Sequence, residues 1–256
     1  MKGERPGIYF ISMIKKPSDY LAVALDNIED LSRITSLIDQ TKEFCSTYKV
    51  GLELFTRFGP SVLDCIRDSA RNIFLDLKFH DIPNTVAQAV ISASRLGVRY
   101  CTVHAHGGKS MMMAASQAAR ASREKGFQPP LLIAVTVLTS IDASSLSSEL
   151  NVGVSLERQV ASLANLALIS GMNGIVCSAA DLPIVKNSLP ESFEIVTPGI
   201  RRKGSNSHDQ KRTATPIEAI SGGATLLVLG REVTSSSNPE GVLKEIADDI
   251  SSVKGK

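Results

Sequence analysis

A charged cluster interrupts an apolar, strand-like segment at residues 75–81, which read LDLKFHD. Removing an unpaired charge from water is expensive, so Asp76 and Lys78 must be paired or functional. Residues two apart on a strand share a face, so we expect these two side chains to point together into one site. A fixed ammonium in such a site can stabilise charge that develops on a substrate. Asp81 lies just before Pro83, so it is interpreted equally well as a cap of the next helix or as part of the site.

Two more charges close or interrupt neighbouring apolar segments. Asp26 follows the segment AVAL, and Lys49 lies inside the segment YKVGL. An isolated ion pair would be the simplest explanation of either residue. Charges at the ends of neighbouring strands are more typical of a single alternating network of lysines and aspartates, which is a common arrangement in active sites.

A third group of residues is suited to binding an anion. Gly230 and Arg231 follow the last apolar segment; glycine lets the backbone approach a ligand, and arginine can donate two hydrogen bonds to phosphate oxygens. The stretch from Pro198 to Arg212 contains cations and small polar residues. That composition would suit a mobile lid over an anion, although a solvated loop without a role is the usual interpretation.

The pair His104 and His106 could begin a metal site. The only other histidines are His80 and His208, and no further strand end supplies one. We therefore do not expect a metal.

Composition limits the remaining classes of function. A net charge of +2, from 28 Lys and Arg against 26 Asp and Glu, is too small and too scattered for a nucleic-acid-binding surface. No apolar run approaches the roughly 18 to 20 residues that a membrane span needs, and the first residues lack the pattern of a signal peptide. We expect a cytoplasmic protein. The cysteines form no Cys-x-x-Cys pair, which indicates buried reduced thiols; they are Cys45, Cys65, Cys101 and Cys177.

Short apolar segments alternate with longer segments of helical periodicity along the chain. The predicted strands are 21–25, 48–52, 73–77, 100–103, 131–138, 174–177, 194–197 and 226–229. The predicted helices are 28–45, 60–69, 83–96, 108–124, 155–170, 179–187, 215–221 and 239–253.

This alternation predicts an α/β fold, a (β/α)8 TIM barrel that forms a single domain over residues 1–256. An open, doubly wound sheet is the alternative, because counting strands does not prove closure. Residues 1–19 are expected to pack on the barrel, as a short helix or a strap across its bottom. The longest irregular stretches, 140–153 and 200–212, follow strands and so lie on the face where barrel active sites are built.

Seven strings in order resemble bacterial orotidine 5'-monophosphate decarboxylases: YKVGLELF, LDLKFHDIPNT, VHAHGGKSMM, AVTVLTS, VTPGIR, DQKR and VLGREVT. The match runs from about residue 20 to residue 245. The resemblance implies a homodimeric barrel with active sites shared across the interface. It also implies conversion of orotidine 5'-monophosphate to uridine 5'-monophosphate in de novo pyrimidine biosynthesis, with no cofactor.

The resemblance also implies roles for individual residues. Lys49, Asp76 and Lys78 would belong to the catalytic network, with Lys78 as the proton donor and Asp81 supplied by the partner subunit. The implied substrate-binding residues are Asp26 and Lys49 at the ribose hydroxyls, with Thr85 of the partner subunit nearby; Thr139 at the pyrimidine edge; Gln210, Gly230 and Arg231 at the phosphate; and Arg201 as a further ligand position.

Other functions remain open at this point. A magnesium-dependent decarboxylase of the 3-keto-gulonate 6-phosphate type shares the Asp-x-Lys-x-x-Asp pattern, but it carries glutamate where this chain has Lys49. A phosphosugar isomerase or epimerase on the same fold is less favoured. A non-catalytic phosphate-binding barrel would not need the four charges Asp26, Lys49, Asp76 and Lys78. A metal hydrolase built on His104 and His106 would need further ligands.

Overall fold

A computed structural model describes residues 15–69, 71–202 and 213–254 of the protein. Its parallel strands form a closed barrel in sequence order, with β1 paired to both β2 and β8. The strands are β1 (Leu21–Ala24), β2 (Thr47–Gly51), β3 (Asn72–Phe79), β4 (Tyr100–His104), β5 (Leu131–Val135), β6 (Gly174–Val176), β7 (Glu194–Pro198) and β8 (Leu226–Leu229). The predicted (β/α)8 TIM barrel is confirmed, and the open sheet is excluded.

Helices follow the strands around the barrel. They are α1 (Leu31–Thr41), α2 (Leu52–Phe58), α3 (Ser61–Arg67), α4 (Pro83–Arg95), α5 (Gly108–Glu124), α6 (Ala143–Ser148), α7 (Leu156–Ile169), α8 (Leu182–Val185), α9 (Pro216–Gly222), α10 (Arg231–Thr234) and α11 (Pro239–Lys254). Short 3-10 helices cover Pro17–Tyr20, Ala105–Gly107 and Ala179–Asp181. None of the helices in these ranges combines the length and apolar character that crossing a membrane requires.

Local sequence explains where helices begin and which side they bury. The Asp30 side chain caps α1 by accepting a 2.8 Å hydrogen bond from the backbone N–H of Arg33. The helix then buries residues at spacings of three and four, which is the pattern of one helical face: Ile34, Leu37, Ile38 and Thr41. At α9, the N-cap residue Thr215 and Glu218 form a reciprocal capping box on either side of Pro216.

Some predicted boundaries were wrong. The predicted helix 28–45 is shorter, because Asp30 caps it and it ends at Thr41. Three helices were not predicted: α2, which starts directly after Gly51 at the end of β2; α10, which starts directly after Gly230; and α6. Helix α6 lies in the stretch predicted to be irregular, where the Asp142 side chain accepts a hydrogen bond from Ser145 N–H. The three helices have seven, six and four residues, so each makes no more than about two turns.

The segment before β1 packs at the bottom of the barrel. Residues Pro17–Tyr20 contact β1, β8 and α11, and Tyr20 is buried. Residues 15–19 are the part of the predicted N-terminal extension that the structure describes, and residues 1–14 lie outside it.

Two apolar layers result from the alternation along the strands. The larger layer lies between the barrel and the helices, and it includes Leu75 and Cys101. The smaller layer lies inside the barrel. It consists of Ala22, Ala24, Phe74, Tyr100, Ile133, Val196, Leu226 and Val228. Barrel interiors are filled by side chains in this way, so the space above the inner layer is left for a site at the carboxyl ends of the strands.

The cysteines are free thiols, and three of the four are buried. Burial raises the pKa of Cys45 to about 12, and it raises the pKa of Cys101 and Cys177 as well. The expectation of buried, reduced thiols is confirmed for these three, whereas Cys65 is partly exposed.

Candidate active site

A cavity of about 450 Å³ opens at the carboxyl ends of the strands. Its apolar wall includes Phe74, Val135, Val176, Val196 and Val228. Its polar wall brings together most of the predicted site residues: Asp26, Lys49, Asp76, Lys78, Thr139, Arg201, Gly230 and Arg231. A pocket of this size, apolar with a few convergent polar groups, is typical of small-molecule sites.

One side of the cavity is an alternating network of charges. Lys49 Nζ lies 3.0 Å from Asp26 Oδ2 and 3.4 Å from Asp76 Oδ2. Lys78 Nζ lies 2.9 Å from the same Oδ2 of Asp76. The network joins the ends of β1, β2 and β3, as expected, and places one carboxylate oxygen between two ammonium groups.

Burial and attraction compete at this network. Burial acts to raise the pKa of Asp76, but the charges of Lys49 and Lys78, with hydrogen bonds from Lys78 and Thr102, outweigh it, and the pKa lies below its ordinary value. Burial acts to lower the pKa of Lys49, but Asp76 and Asp26 outweigh it, and the pKa lies above its ordinary value. Both buried groups therefore stay charged at neutral pH.

The backbone of β3 is distorted where the network forms. The pairing of β3 with β4 shifts register between Leu75 and Phe79, and Lys78 has a φ of 49°. A non-glycine residue in this left-handed region is uncommon and is often found at functional sites. The Lys78 side chain nevertheless shares a face with Asp76, as the spacing predicted.

Sequence reasoning missed one residue of the network. Thr102, on β4, donates from Oγ1 to Asp76 Oδ1 at 2.9 Å and accepts from the backbone N–H of Lys78 at 2.9 Å. Its position between Tyr100 and His104 on an apolar strand was the available signal, because a polar residue on an inward face needs a partner.

The opposite wall comes from segments after β5, β7 and β8. Arg201 is 6% exposed, and its Nη1 donates to the carbonyl of Ile200 at 2.8 Å. Among the described residues, a Cβ built on Gly230 would meet no atom within 4 Å apart from those of its chain neighbours, so these residues leave space beside this backbone for a ligand. Thr139 and Arg231 also face the cavity.

Arg202 fixes the segment after β7 to the two helices after β8, which sequence reasoning did not anticipate. Its Nε lies 2.7 Å from Glu232 Oε1 in α10, and its Nη1 lies 2.7 Å from Glu245 Oε2 in α11. The chain next to Arg201 is thereby held in place. Gln210 and the rest of residues 203–212 lie outside the described ranges.

Asp81 and Thr85 do not line this cavity. Residues 80–85 are all exposed, and Ile82, between the two, is 66% exposed. The Asp81 side chain accepts a 2.6 Å hydrogen bond from Ile82 N–H, but the N-cap residue of α4 is Ile82 and no side chain caps this helix. The helix-cap interpretation of Asp81 was therefore wrong.

Three histidines, His80, His104 and His106, lie beside the network with their rings in contact. The rings of His80 and His104 are stacked with centroids 5.2 Å apart, and His106 lies 5.2 Å from His104. Burial, with His106, His80 and Lys78, lowers the pKa of His104 to about 4. Across the described ranges, no group of three or more His, Cys, Asp or Glu side chains is placed to hold a metal ion.

Lys49 also decides against the magnesium-dependent alternative. Its ammonium lies between the carboxylates of Asp26 and Asp76, the oxygen ligands that a divalent cation in this part of the cavity would use. Two positive charges in that space would repel each other.

Comparisons with known proteins agree with the geometry. The family model for orotidine 5'-phosphate decarboxylase / HUMPS matches residues 19–246. Orotidine 5'-phosphate decarboxylase of Prochlorococcus marinus is 42% identical over 236 residues, which cover 92% of this chain and 98% of that protein. Orotidine 5'-phosphate decarboxylase of Dichelobacter nodosus is 46% identical over 228 residues, which cover 88% of this chain and 96% of that protein. The crystal structure of orotidine 5'-phosphate decarboxylase from Lactobacillus acidophilus has a TM-score of 0.78 at 35% identity, and the match covers 90% of this chain and 97% of that one. The chain therefore belongs to the orotidine 5'-phosphate decarboxylase / HUMPS family.

Proposed function

We propose that this protein decarboxylates orotidine 5'-monophosphate to uridine 5'-monophosphate in de novo pyrimidine biosynthesis, without a cofactor. The observation that carries the proposal is the buried charge network in the cavity, with Asp76 Oδ2 between Lys49 Nζ at 3.4 Å and Lys78 Nζ at 2.9 Å. Relatives that share over 40% identity with this chain are named for the same reaction.

The reaction needs such a network because its intermediate is hard to stabilise. Breaking the bond between the ring carbon and the carboxylate releases carbon dioxide and leaves the electron pair on an sp2 ring carbon, with no conjugated carbonyl to accept it. A fixed ammonium stabilises this charge without rearrangement of solvent. We assign this role to Lys78, which then transfers a proton from Nζ to the ring carbon.

We assign Asp76 two effects. Its carboxylate holds the ammonium groups of Lys49 and Lys78 in place before substrate binds, so that little reorganisation is needed during the reaction. We also propose that it crowds the substrate carboxylate, which would raise the energy of the bound substrate. We take transition-state stabilisation by Lys78 as the larger effect.

The remaining residues are assigned to substrate binding. Asp26 and Lys49 contact the ribose hydroxyls, and Thr139 reads the pyrimidine edge. Gly230 and Arg231 hold the phosphate, where the segments after the last two strands of a barrel commonly bind this group. Gln210 is proposed to join the phosphate site, and Arg201 to supply a further ligand contact.

We further propose a homodimer in which Asp81 and Thr85 complete the active site of the partner subunit. The support is that both residues are exposed and belong to a run directly after β3, beside the cavity. Ile82, in the same run, is 66% exposed, so the proposed interface would also cover an apolar side chain.

Mixed dimers test the shared site. Lys78→Ala and Asp81→Asn subunits are each expected to be nearly inactive alone. A mixed dimer has one site with both changes and one site with neither, so random mixing restores about a quarter of wild-type activity. If each subunit supplied its own Asp81, mixing would restore nothing.

The reaction itself is tested by the loss of orotidine 5'-monophosphate absorbance. We expect Lys78→Ala to fold but to lose roughly 100- to 10,000-fold in kcat, which is the usual contribution of a proton donor. Lys244→Ala, an exposed lysine on α11, is the control and should be unchanged. No turnover by the wild-type protein would refute the proposal, and loss of activity with a chelator would favour the magnesium-dependent alternative.

A further inference from the structure

We infer that Thr102 is a positioning residue for the decarboxylation, because its hydroxyl holds both the Asp76 carboxylate and the backbone of Lys78. The inference rests on the roles proposed above for Asp76 and Lys78. Thr102 does not touch the cavity, so it acts through these two residues.

The β3–β4 pairing isolates Thr102 opposite the network. Leu75 pairs with Cys101 and Phe79 pairs with Val103, so the three residues 76–78 of β3 face only Thr102 of β4. Such a bulge turns side chains in a new direction and breaks the regular ladder of backbone hydrogen bonds. The bulge includes Asp76 and Lys78, so their directions depend on what fills the gap in the ladder.

The Thr102 hydroxyl fills that gap. The backbone N–H of Lys78 donates to Thr102 Oγ1 at 2.9 Å. Lys78 has a φ of 49°, a conformation that an L-residue adopts only when its surroundings hold it there. The threonine is fully buried, so its oxygen, and not solvent, satisfies this N–H. We therefore assign the hydroxyl the role of holding the Lys78 backbone in this conformation.

The same hydroxyl orients Asp76. A threonine hydroxyl has a single proton to donate. Because Oγ1 accepts from Lys78, that proton is directed at Asp76 Oδ1, 2.9 Å away. Asp76 Oδ1 then acts as an acceptor, and it accepts more strongly when the carboxylate is ionised. The other oxygen, Oδ2, is left to the two ammonium groups.

A pair of small substitutions isolates the hydroxyl. Thr102→Ser and Thr102→Ala both remove the methyl group, and they differ only in the oxygen. A hydrogen bond to a charged group is worth enough to change a rate by about 10- to 100-fold when it is lost. We expect Thr102→Ala to lose about 10- to 100-fold in kcat, with a change of less than about threefold in KM for orotidine 5'-monophosphate. Thr102→Ser should keep most of the wild-type kcat.

The pH profile gives a second readout that a packing role would not change. The hydrogen bond from Thr102 helps to hold the pKa of Asp76 below its ordinary value, against burial and alongside Lys49 and Lys78. Its loss raises that pKa, so the acid limb of the kcat profile should move to higher pH in Thr102→Ala and stay in place in Thr102→Ser.

A matched control comes from β7. Thr197 is also fully buried in a strand, and its Oγ1 has no hydrogen-bond partner in the described structure. Thr197→Val should therefore leave kcat and the acid limb unchanged. Thermal unfolding of each variant identifies any that fail to fold, and the serine variant remains informative if the alanine variant does not fold.

The outcomes separate this inference from the proposed function. If Thr102→Ala keeps the wild-type kcat and acid limb, or if Thr102→Ser is impaired as much as Thr102→Ala, the inference is wrong. If Lys78→Ala is active, the proposed catalytic roles are wrong instead. If Lys78→Ala loses activity while Thr102→Ala keeps the kcat of the wild-type protein, only the role of Thr102 is overturned.

Discussion

Replacing Lys49 by methionine tests the charge network directly, because the substitution keeps most of the side-chain volume and removes the charge. Lys49 is 8% exposed, and its Nζ lies within 3.4 Å of carboxylate oxygens of both Asp26 and Asp76. Removing one partner of a buried ion pair typically costs about 3–5 kcal/mol, because the other charge stays buried. Asp76 keeps Lys78 and Thr102, so we expect the lower end, about 3 kcal/mol of unfolding free energy at neutral pH.

The destabilisation should depend on pH. In the wild-type protein burial acts to raise the pKa of Asp76, but Lys49 and Lys78 outweigh it and the pKa is depressed. A depressed pKa adds stability above the unfolded-state value of about 3.9, and this is lost as pH falls through the lower folded value. When Lys49 is absent, only Lys78 and Thr102 act against the effect of burial, so the pKa of Asp76 rises. On acidification Asp76 is therefore protonated at a higher pH in the variant than in the wild type. Protonation removes a buried charge that has lost one of its two ammonium partners, so the destabilisation becomes smaller.

The measurement is urea unfolding of wild type and Lys49→Met, followed by circular dichroism at one fixed protein concentration, from neutral pH to about pH 4.5. Lys42→Met is the control. Lys42 pairs with Asp39 at 2.8 Å on the surface, and exposed pairs contribute about 0 to 1 kcal/mol. The reasoning fails if Lys49→Met is as stable as Lys42→Met at neutral pH, or if its destabilisation is the same at both ends of the pH range.

Other outcomes follow from the same structure. Arg231→Ala should lower kcat/KM for orotidine 5'-monophosphate by about 10- to 100-fold, which is the effect of a lost hydrogen bond between charged groups. Turnover of orotidine, which lacks the phosphate, should not change. Equal losses on both substrates would contradict a phosphate role. Thr139→Val should raise KM by up to about 10-fold if its hydroxyl reads the pyrimidine edge, and an unchanged KM would exclude that contact. Burial, with its neighbours, lowers the pKa of His104 to about 4, so NMR should find its ring neutral down to that pH; titration near the ordinary value would contradict the stacked arrangement. In the native protein, a thiol reagent should modify Cys65 much faster than the buried thiols of Cys45, Cys101 and Cys177. If these three react as fast in the native protein as after unfolding, they are not buried.

Much of the fold could be predicted because strands and long helices leave periodic patterns. The strand predicted at 226–229 and the helix predicted at 108–124 have the bounds that the structure shows. A helix of about one turn leaves no such periodic pattern. Helix α10 has four residues, and its start is set by the chain leaving β8 at Gly230. Local sequence does not contain that information.

The site could be predicted in part for the same reason. Asp76 and Lys78 share a face because a strand repeats every two residues, and buried charges need partners. Thr102 was missed because its partners depend on the register between β3 and β4. The shift between Leu75 and Phe79 is what puts Thr102 opposite Asp76 and the Lys78 backbone.

The sequence by itself determined the number of strands, the face on which each charge lies and the family to which the chain belongs, because periodicity, burial and motifs are properties of local segments. Only the tertiary structure decided that β1 closes on β8, that the Lys49 ammonium reaches carboxylates from two neighbouring strands, and that one threonine hydroxyl supports both halves of an Asp-x-Lys pair. These are distances between segments far apart in the chain, and they are set by strand register, which packing of the whole barrel selects.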